Sequence, residues 1–132
     1  MATKPIVLGL SICDYVIVEE KTKKVSLIGH FSGLAVDEFP TKALPFSVYA
    51  ALSDSVGRLK IRLVVTRLDT GEVTYEVENQ VSFPDKLTAV HLVCRLNNCE
   101  FPAPSWYQFT LLSENEWLAQ RRVRVYAKGG EK

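Results

Sequence analysis

Residues 59–81 read LKIRLVVTRLDTGEVTYEVENQV, and this stretch decides the fold. Apolar side chains occupy alternate positions in both halves, which is typical of strands that bury one face. The two sets are Leu59, Ile61, Leu63 and Val65 in the first half and Val73, Tyr75, Val77 and Val81 in the second. Between them, Asp69-Thr70-Gly71 predicts a three-residue hairpin loop in which Gly71 adopts a left-handed conformation.

The same stretch predicts a register. The two apolar faces match across the loop only if odd-numbered residues oppose odd-numbered residues. Arg62 then lies opposite Glu78, and Lys60 lies opposite Gln80, on the solvent face. These side chains are explained as ordinary cross-strand pairs and do not indicate a catalytic or binding site.

Similar apolar or alternating runs, each closed by a polar, glycine or proline turn, continue along the chain. They predict eight main strands, at residues 7–18 (with a break near Ser11), 25–31, 46–52, 59–68, 73–81, 89–96, 107–112 and 118–126. Residues 32–44 are expected to form the longest loop, with room for one short helical turn at 34–39. The pattern favours an all-β antiparallel sandwich, immunoglobulin-like or related.

With 132 residues the chain is expected to form a single sandwich domain over residues 1–132, with residues 128–132 as a flexible tail. Lysine and arginine number 16 and aspartate and glutamate 15, so the net charge is near zero. Nothing in this balance demands a polyanionic partner, and copies of the chain repel one another only weakly. A homo-oligomer is therefore among the expected states.

The apolar run at residues 6–10 is too short for a signal peptide or a membrane span, and Ser11 and Asp14 interrupt it. Cysteines number three, an odd count that is typical of reduced thiols. We therefore expect a cytoplasmic protein with no membrane association.

Three stretches carry a family resemblance. They are Cys13-Asp14-Tyr15-Val16 leading into Ile28-Gly29-His30-Phe31, then Phe39-Pro40, then FPAPSWYQF at 101–109 with WLAQR at 117–121. The chain resembles a family of short, single-domain bacterial proteins of unknown function that form β-sandwiches. The resemblance implies a bacterial, non-secreted sandwich and brings no catalytic residue or cofactor.

Metal and catalytic sites are disfavoured. His91, Cys94 and Cys99 resemble metal-ligand spacing, but His91 and Cys94 would point to opposite faces of a strand, so no metal or cofactor is expected. Cys99 is expected in a surface turn. Asp14 and His30 form the best polar pair if the first two strands are neighbours, and an enzyme using them stays as one alternative.

The last strand carries Arg122, Arg124 and Tyr126 on one face, which could bind nucleic acid, although three arginines in a neutral chain favour a solvated face. A second alternative is a small-molecule or sugar site built from Tyr49, Trp106 and Trp117. Val64, Val93 and Trp106 are predicted to lie opposite the core.

The leading prediction is a non-catalytic binding or assembly module that contacts a protein partner or another copy of itself. In the last hairpin, aligning Tyr107 with Val123 buries Tyr107, Phe109, Leu111, Val123 and Val125. The outward face then carries the predicted binding surface, which comprises Trp106, Gln108, Arg122, Arg124 and Tyr126. Trp106 opposite Arg124 could also form a cation–π pair.

Overall fold

The computed structural model describes residues 4–129 and contains, over that range, eleven strands and no helix. The long strands are β1 (Ile6–Val18), β2 (Val25–His30), β5 (Phe46–Ser53), β6 (Gly57–Arg67), β7 (Val73–Phe83), β8 (Val90–Leu96), β10 (Ser105–Ser113) and β11 (Glu116–Ala127). The short ones are β3 (Gly33–Val36), β4 (Thr41–Lys42) and β9 (Glu100–Phe101). No helix long and apolar enough to cross a membrane occurs among residues 4–129.

The strands form two facing sheets. The first sheet has the order β2-β1-β5-β8 and is antiparallel throughout. The second has the order β3-β11-β10-β6-β7, in which only the β3–β11 pair is parallel. The eight predicted strands are thus confirmed, and β4 and β9 form a separate two-stranded antiparallel pair.

The core lies between the inner faces of the sheets, and its centre is aromatic. The Phe46 ring lies 6.0 Å from Phe109 and 6.4 Å from Phe101, whose ring is 4.8 Å from Tyr107. Tyr107 is fully buried, and its hydroxyl donates to the Ala103 carbonyl at 2.6 Å. The phenol therefore packs in the core without leaving its polar atom unpaired.

The β6–β7 hairpin has the predicted register, with Arg62 opposite Glu78 and Lys60 opposite Gln80. Its loop differs from the prediction. The Arg67 N–H donates to the Glu72 carbonyl at 2.8 Å, so the loop has four residues, 68–71. A register shift between Val65 and Thr66 absorbs the additional residue. It also turns Val73 outward, where the side chain is half exposed instead of sharing the buried face.

Residues 32–44 are more regular than predicted. They contain β3 and β4, and residues 34–36 extend beside β11 where a helical turn was expected. The break predicted near Ser11 is also wrong. Strand β1 runs through Ser11, and its irregularity lies between Val7 and Gly9. Each short strand gains its hydrogen bonds from a partner distant in the sequence, so local patterning does not reveal it.

The predicted flexible tail is anchored at its first residue. The Lys128 N–H donates to the Val36 carbonyl at 2.7 Å, and its ammonium lies 3.1 Å from the Asp37 carboxylate. Residues 130–132 of that tail lie outside the described residues.

Candidate functional site

The β10–β11 hairpin brings the predicted binding surface together on the outer face of the second sheet. Trp106 lies opposite Arg124 and Gln108 lies opposite Arg122 in the antiparallel ladder. Tyr107 and Val123 are paired and buried, as the sequence predicts, so their neighbours must point outward. The placement of these residues is thereby confirmed, whereas their role stays a prediction.

Trp106 stands between two surface hollows and is 45% exposed. The larger hollow has a volume of about 460 Å³ and is lined by Leu68, Asp69, Ser105, Trp106 and Arg122. The smaller has about 240 Å³, and Pro104, Arg124 and Tyr126 contribute to its wall. An exposed indole with a depression on each side is suited to contact an inserted side chain.

The charge of this surface is positive. The Arg122 Nε donates to Gln108 Oε1 at 3.3 Å, and Arg124 has no side-chain hydrogen bond or ion pair within residues 4–129. Asp69 is the nearby carboxylate, and its hydrogen bond from Arg67, at 2.6 Å, lowers its pKa. Because Arg67 already neutralises Asp69, the charges of Arg122 and Arg124 remain for an incoming group.

The expected cation–π contact between Trp106 and Arg124 is absent. In the described part of the chain such a contact occurs where the Arg95 guanidinium lies 4.8 Å from the centre of the Tyr15 ring. The guanidinium of Arg122 bonds Gln108 instead of covering the indole. The Trp106 ring is thus left open to solvent.

Asp14 and His30 do not form a pair. His30 lies directly opposite Cys13, so the Asp14 side chain points to the other face of the sheet. The carboxylate lies over Gly29 instead, where a Cβ would be only 2.3 Å from Asp14 Oδ2. The side chains expected for acid–base chemistry are therefore separated by the sheet itself.

His91, Cys94 and Cys99 are also kept apart. His91 lies on the outer face of the first sheet, where its ring stacks on Tyr49 at 5.6 Å and bonds the phenol. Cys94 is buried on the inner face, so the His91 and Cys94 side chains point to opposite faces, as predicted. Cys99 is fully buried, contrary to the predicted surface turn, and burial raises its pKa to about 12. No cluster of three or more metal-binding side chains occurs over residues 4–129.

The aromatic pocket proposed from Tyr49, Trp106 and Trp117 does not form. Tyr49 lies on the first sheet, Trp106 near the start of β10, and Trp117 near the start of β11, beside the opposite end of β10. Val93 and Val64 are likewise divided between the two sheets, so the apolar residues predicted outside the core do not cluster.

Sequence reasoning missed Leu68, Asp69 and Pro104 as walls of the hollows. Leu68 and Asp69 belong to the β6–β7 loop, and they approach Trp106 because β6 pairs with β10 and the Leu68 N–H donates to the Trp106 carbonyl at 2.9 Å. The sequence offered only turn composition as a signal for these residues. It also missed a cleft of about 390 Å³ between β3, the start of β5 and Lys128.

Two sheets packed face to face, antiparallel except for the β3–β11 pair and with connections that cross between them, define this protein as an immunoglobulin-like β-sandwich. Residues 9–126 match the model of a family of unknown function (DUF6941), and the chain belongs to that family. It is also similar to the crystal structure of an immunoglobulin-like protein from Pseudomonas aeruginosa. That similarity has 12% identity and a TM-score of 0.42, and it covers 93% of this chain and 97% of the other. No curated protein matches the chain.

Proposed function

We propose that this protein is a non-catalytic binding module whose outer β10–β11 face captures an apolar side chain flanked by carboxylates on a protein partner. The observation that carries the proposal is the open Trp106 ring between two hollows, beside the guanidinium groups of Arg122 and Arg124. Tryptophan and arginine are the residue types that most often dominate binding energy at interfaces.

The energetics favour a small interface centred on the indole. Burying apolar surface contributes about 25 cal/mol per Å², and hot-spot residues of this kind cost ~2 kcal/mol or more when truncated. The two arginines add little to affinity at an exposed rim, but they favour an acidic partner and speed its association. A neutral or basic segment would lose that contribution.

The separation of Asp14 from His30 supports a role in binding rather than catalysis. The three cysteines are unpaired and buried, which accords with the cytoplasmic location that we propose. Fractionation of the source cells with an antibody to the chain tests that location.

The binding proposal is tested by selecting peptides from a displayed random library on the immobilised full-length chain. We expect enrichment of peptides that combine a large apolar residue with aspartate or glutamate. Selected peptides should bind the Trp106→Ala variant at least about tenfold more weakly, and the Arg124→Glu variant should bind them with a slower association rate. Trp117→Ala is the matched control, because Trp117 is 53% exposed and lies near the opposite end of β10.

Three results would contradict the proposal: no enrichment, equal loss in the Trp117→Ala control, or binding of single-stranded oligonucleotides that Arg124→Glu abolishes while peptides are ignored. Light scattering on the Trp106→Ala/Arg124→Glu double variant decides whether a second copy occupies this face. If a second copy does, the double variant loses an association that the wild type shows.

A further inference from the structure

The hairpin formed by β1 and β2 extends beyond the sandwich. The pairing of β1 with β5 ends at Cys13, opposite Ser47, whereas its pairing with β2 continues to Val18, opposite Val25. Residues 14–28 therefore form a two-stranded ribbon, here called the β1–β2 ribbon. Such a ribbon is marginally stable unless something packs against it.

Both faces of the β1–β2 ribbon are apolar. One face carries Tyr15, Ile17, Ser26 and Ile28, with the Arg95 guanidinium over the Tyr15 ring. The other carries Val16, Val18, Val25 and Leu27. Tyr15 is 57% exposed and Ile28 47%. Contiguous exposed apolar surface of this kind marks a contact site in soluble proteins.

The free edge of β2 also lacks the features that block strand pairing. Residues 25–30 contain no lysine, arginine, carboxylate or proline. By contrast, the edge strand β7 carries Glu76 and Glu78, β8 carries Arg95, and β3 has only 4 residues. Charged, short or proline-containing edges resist edge-to-edge association, and β2 is long enough and uncharged.

We propose that β2 pairs with β2 of a second copy of this chain, antiparallel and across a two-fold axis at Ser26. The Glu19 N–H donates to the Lys24 carbonyl at 2.8 Å, and antiparallel ladders alternate, so the backbone groups of Val25 and Leu27 point to the free edge. The axis sets Val25 of each copy opposite Leu27 of the other. All of these outward groups are then satisfied, and the two first sheets join into one.

Charge complementarity selects a second copy over any other strand. The Asp14 carboxylate occupies the space above Gly29, on the path to the free edge. In the proposed register, the turn that carries Lys23 (φ +60°), just outside β2, lies beside Gly29 of the other copy. The long Lys23 side chain then reaches this Asp14. Neither Asp14 nor Lys23 has an ion-pair partner within residues 4–129, and symmetry makes the contact twice.

Disulfide trapping tests the register. At the axis the two Ser26 residues form a non-hydrogen-bonded pair, whose Cβ atoms lie about 4.5–5.5 Å apart in antiparallel sheets. Ser26→Cys should therefore form a covalent dimer on mild oxidation, while the three native thiols are buried and unreactive. Ser82→Cys is the matched control, because Ser82 is an exposed serine on the edge strand β7.

Sedimentation equilibrium tests the association itself. The wild type should shift from 14.8 kDa towards twice that mass as its concentration rises. Leu27→Pro removes an N–H that only the second copy uses and should yield a monomer of unchanged circular dichroism. Lys23→Glu should raise the dissociation constant about tenfold, and Asp14→Lys combined with Lys23→Glu should restore it.

The proposal is overturned if the wild type stays at 14.8 kDa throughout, or if Ser26→Cys cross-links no better than Ser82→Cys. A monomer that instead binds strand-forming peptides along β2 also overturns it, in favour of a foreign strand. The proposed role of Trp106 is independent of these results, since Trp106 lies on the other sheet.

Discussion

At the scale of single residues, Cys99 shows how strongly context decides chemistry. It follows Asn97-Asn98, which are exposed as turn residues should be, yet its own side chain is fully buried. Its carbonyl accepts the Ala43 N–H at 3.1 Å, and this bond joins the turn to the segment that leads into β5. A thiol that would be reactive at the surface is therefore neutral in the core.

The pH dependence of stability should report this burial. The Cys99 pKa rises from 9.0 to about 12 on folding. The native state therefore favours the neutral thiol. The contribution of Cys99 to the free energy of unfolding is fully present below pH 9. Above that pH the unfolded chain ionises first, so the free energy of unfolding falls by about 1.4 kcal/mol per pH unit until the native pKa is reached.

Urea unfolding at increasing pH measures this slope. Cys99→Ala should lose stability at neutral pH through the cavity it leaves, yet show a shallower decline above pH 9. The other buried thiols and phenols titrate in the wild type and in the variant alike, so the difference between the two slopes reports Cys99. An identical decline in the variant would show that Cys99 does not titrate as its burial requires.

Gly71 is a second residue whose conformation decides a substitution. Its φ is +78°, and a Cβ added there would meet nothing within 4 Å. Gly71→Ala should therefore destabilise the protein by ~1 kcal/mol, through backbone strain alone. Chemical denaturation measures the effect, and a neutral or stabilising substitution would contradict the left-handed loop.

At the scale of elements, the hairpins follow from patterning. The β10–β11 register and most of the β6–β7 register match the alternation of apolar residues, because a slip of one position would expose an entire buried face. The β1–β2 pairing is less regular, because Gly29 has φ +70° and Asp14 occupies the space beside it. That irregularity has a measurable cost.

Gly29→Ala should destabilise the β1–β2 ribbon more than Gly71→Ala destabilises its loop. The added Cβ would lie 2.3 Å from Asp14 Oδ2 in addition to the strained φ, so we expect a loss of roughly 2 kcal/mol. Gly33→Ala is the control, since its nearest contact is the Tyr126 ring at 3.6 Å. Equal stability of the two variants would contradict both the left-handed conformation of Gly29 and its close contact with Asp14.

At the scale of the whole molecule, both sheets contribute to one core. Phe46 of the first sheet contacts Phe109 of the second, so neither sheet retains its packing alone. Contacts between strands that are distant in the chain, such as β3 and β11, therefore contribute to the free energy of folding.

Unfolding should accordingly be a single cooperative transition, with far-UV circular dichroism of β type and no helical double minimum. Coincident curves from circular dichroism and tryptophan fluorescence would check this, because Trp106 and Trp117 lie near opposite ends of β10. A chelator should leave the Tm unchanged. Two separate transitions, or a Tm that falls with the chelator, would contradict this account.

The alternation of apolar residues by itself determined the eight long strands, the buried faces of β6, β10 and β11 and the outward position of Trp106, Arg122 and Arg124. These are consequences of a two-residue period, which local sequence carries in full. Tertiary structure alone decided the short strands β3, β4 and β9, the burial of Cys99 and the separation of Asp14 from His30. It also decided which loop residues line the hollows beside Trp106. These depend on which strands become neighbours, and that is set by packing between residues far apart in the chain.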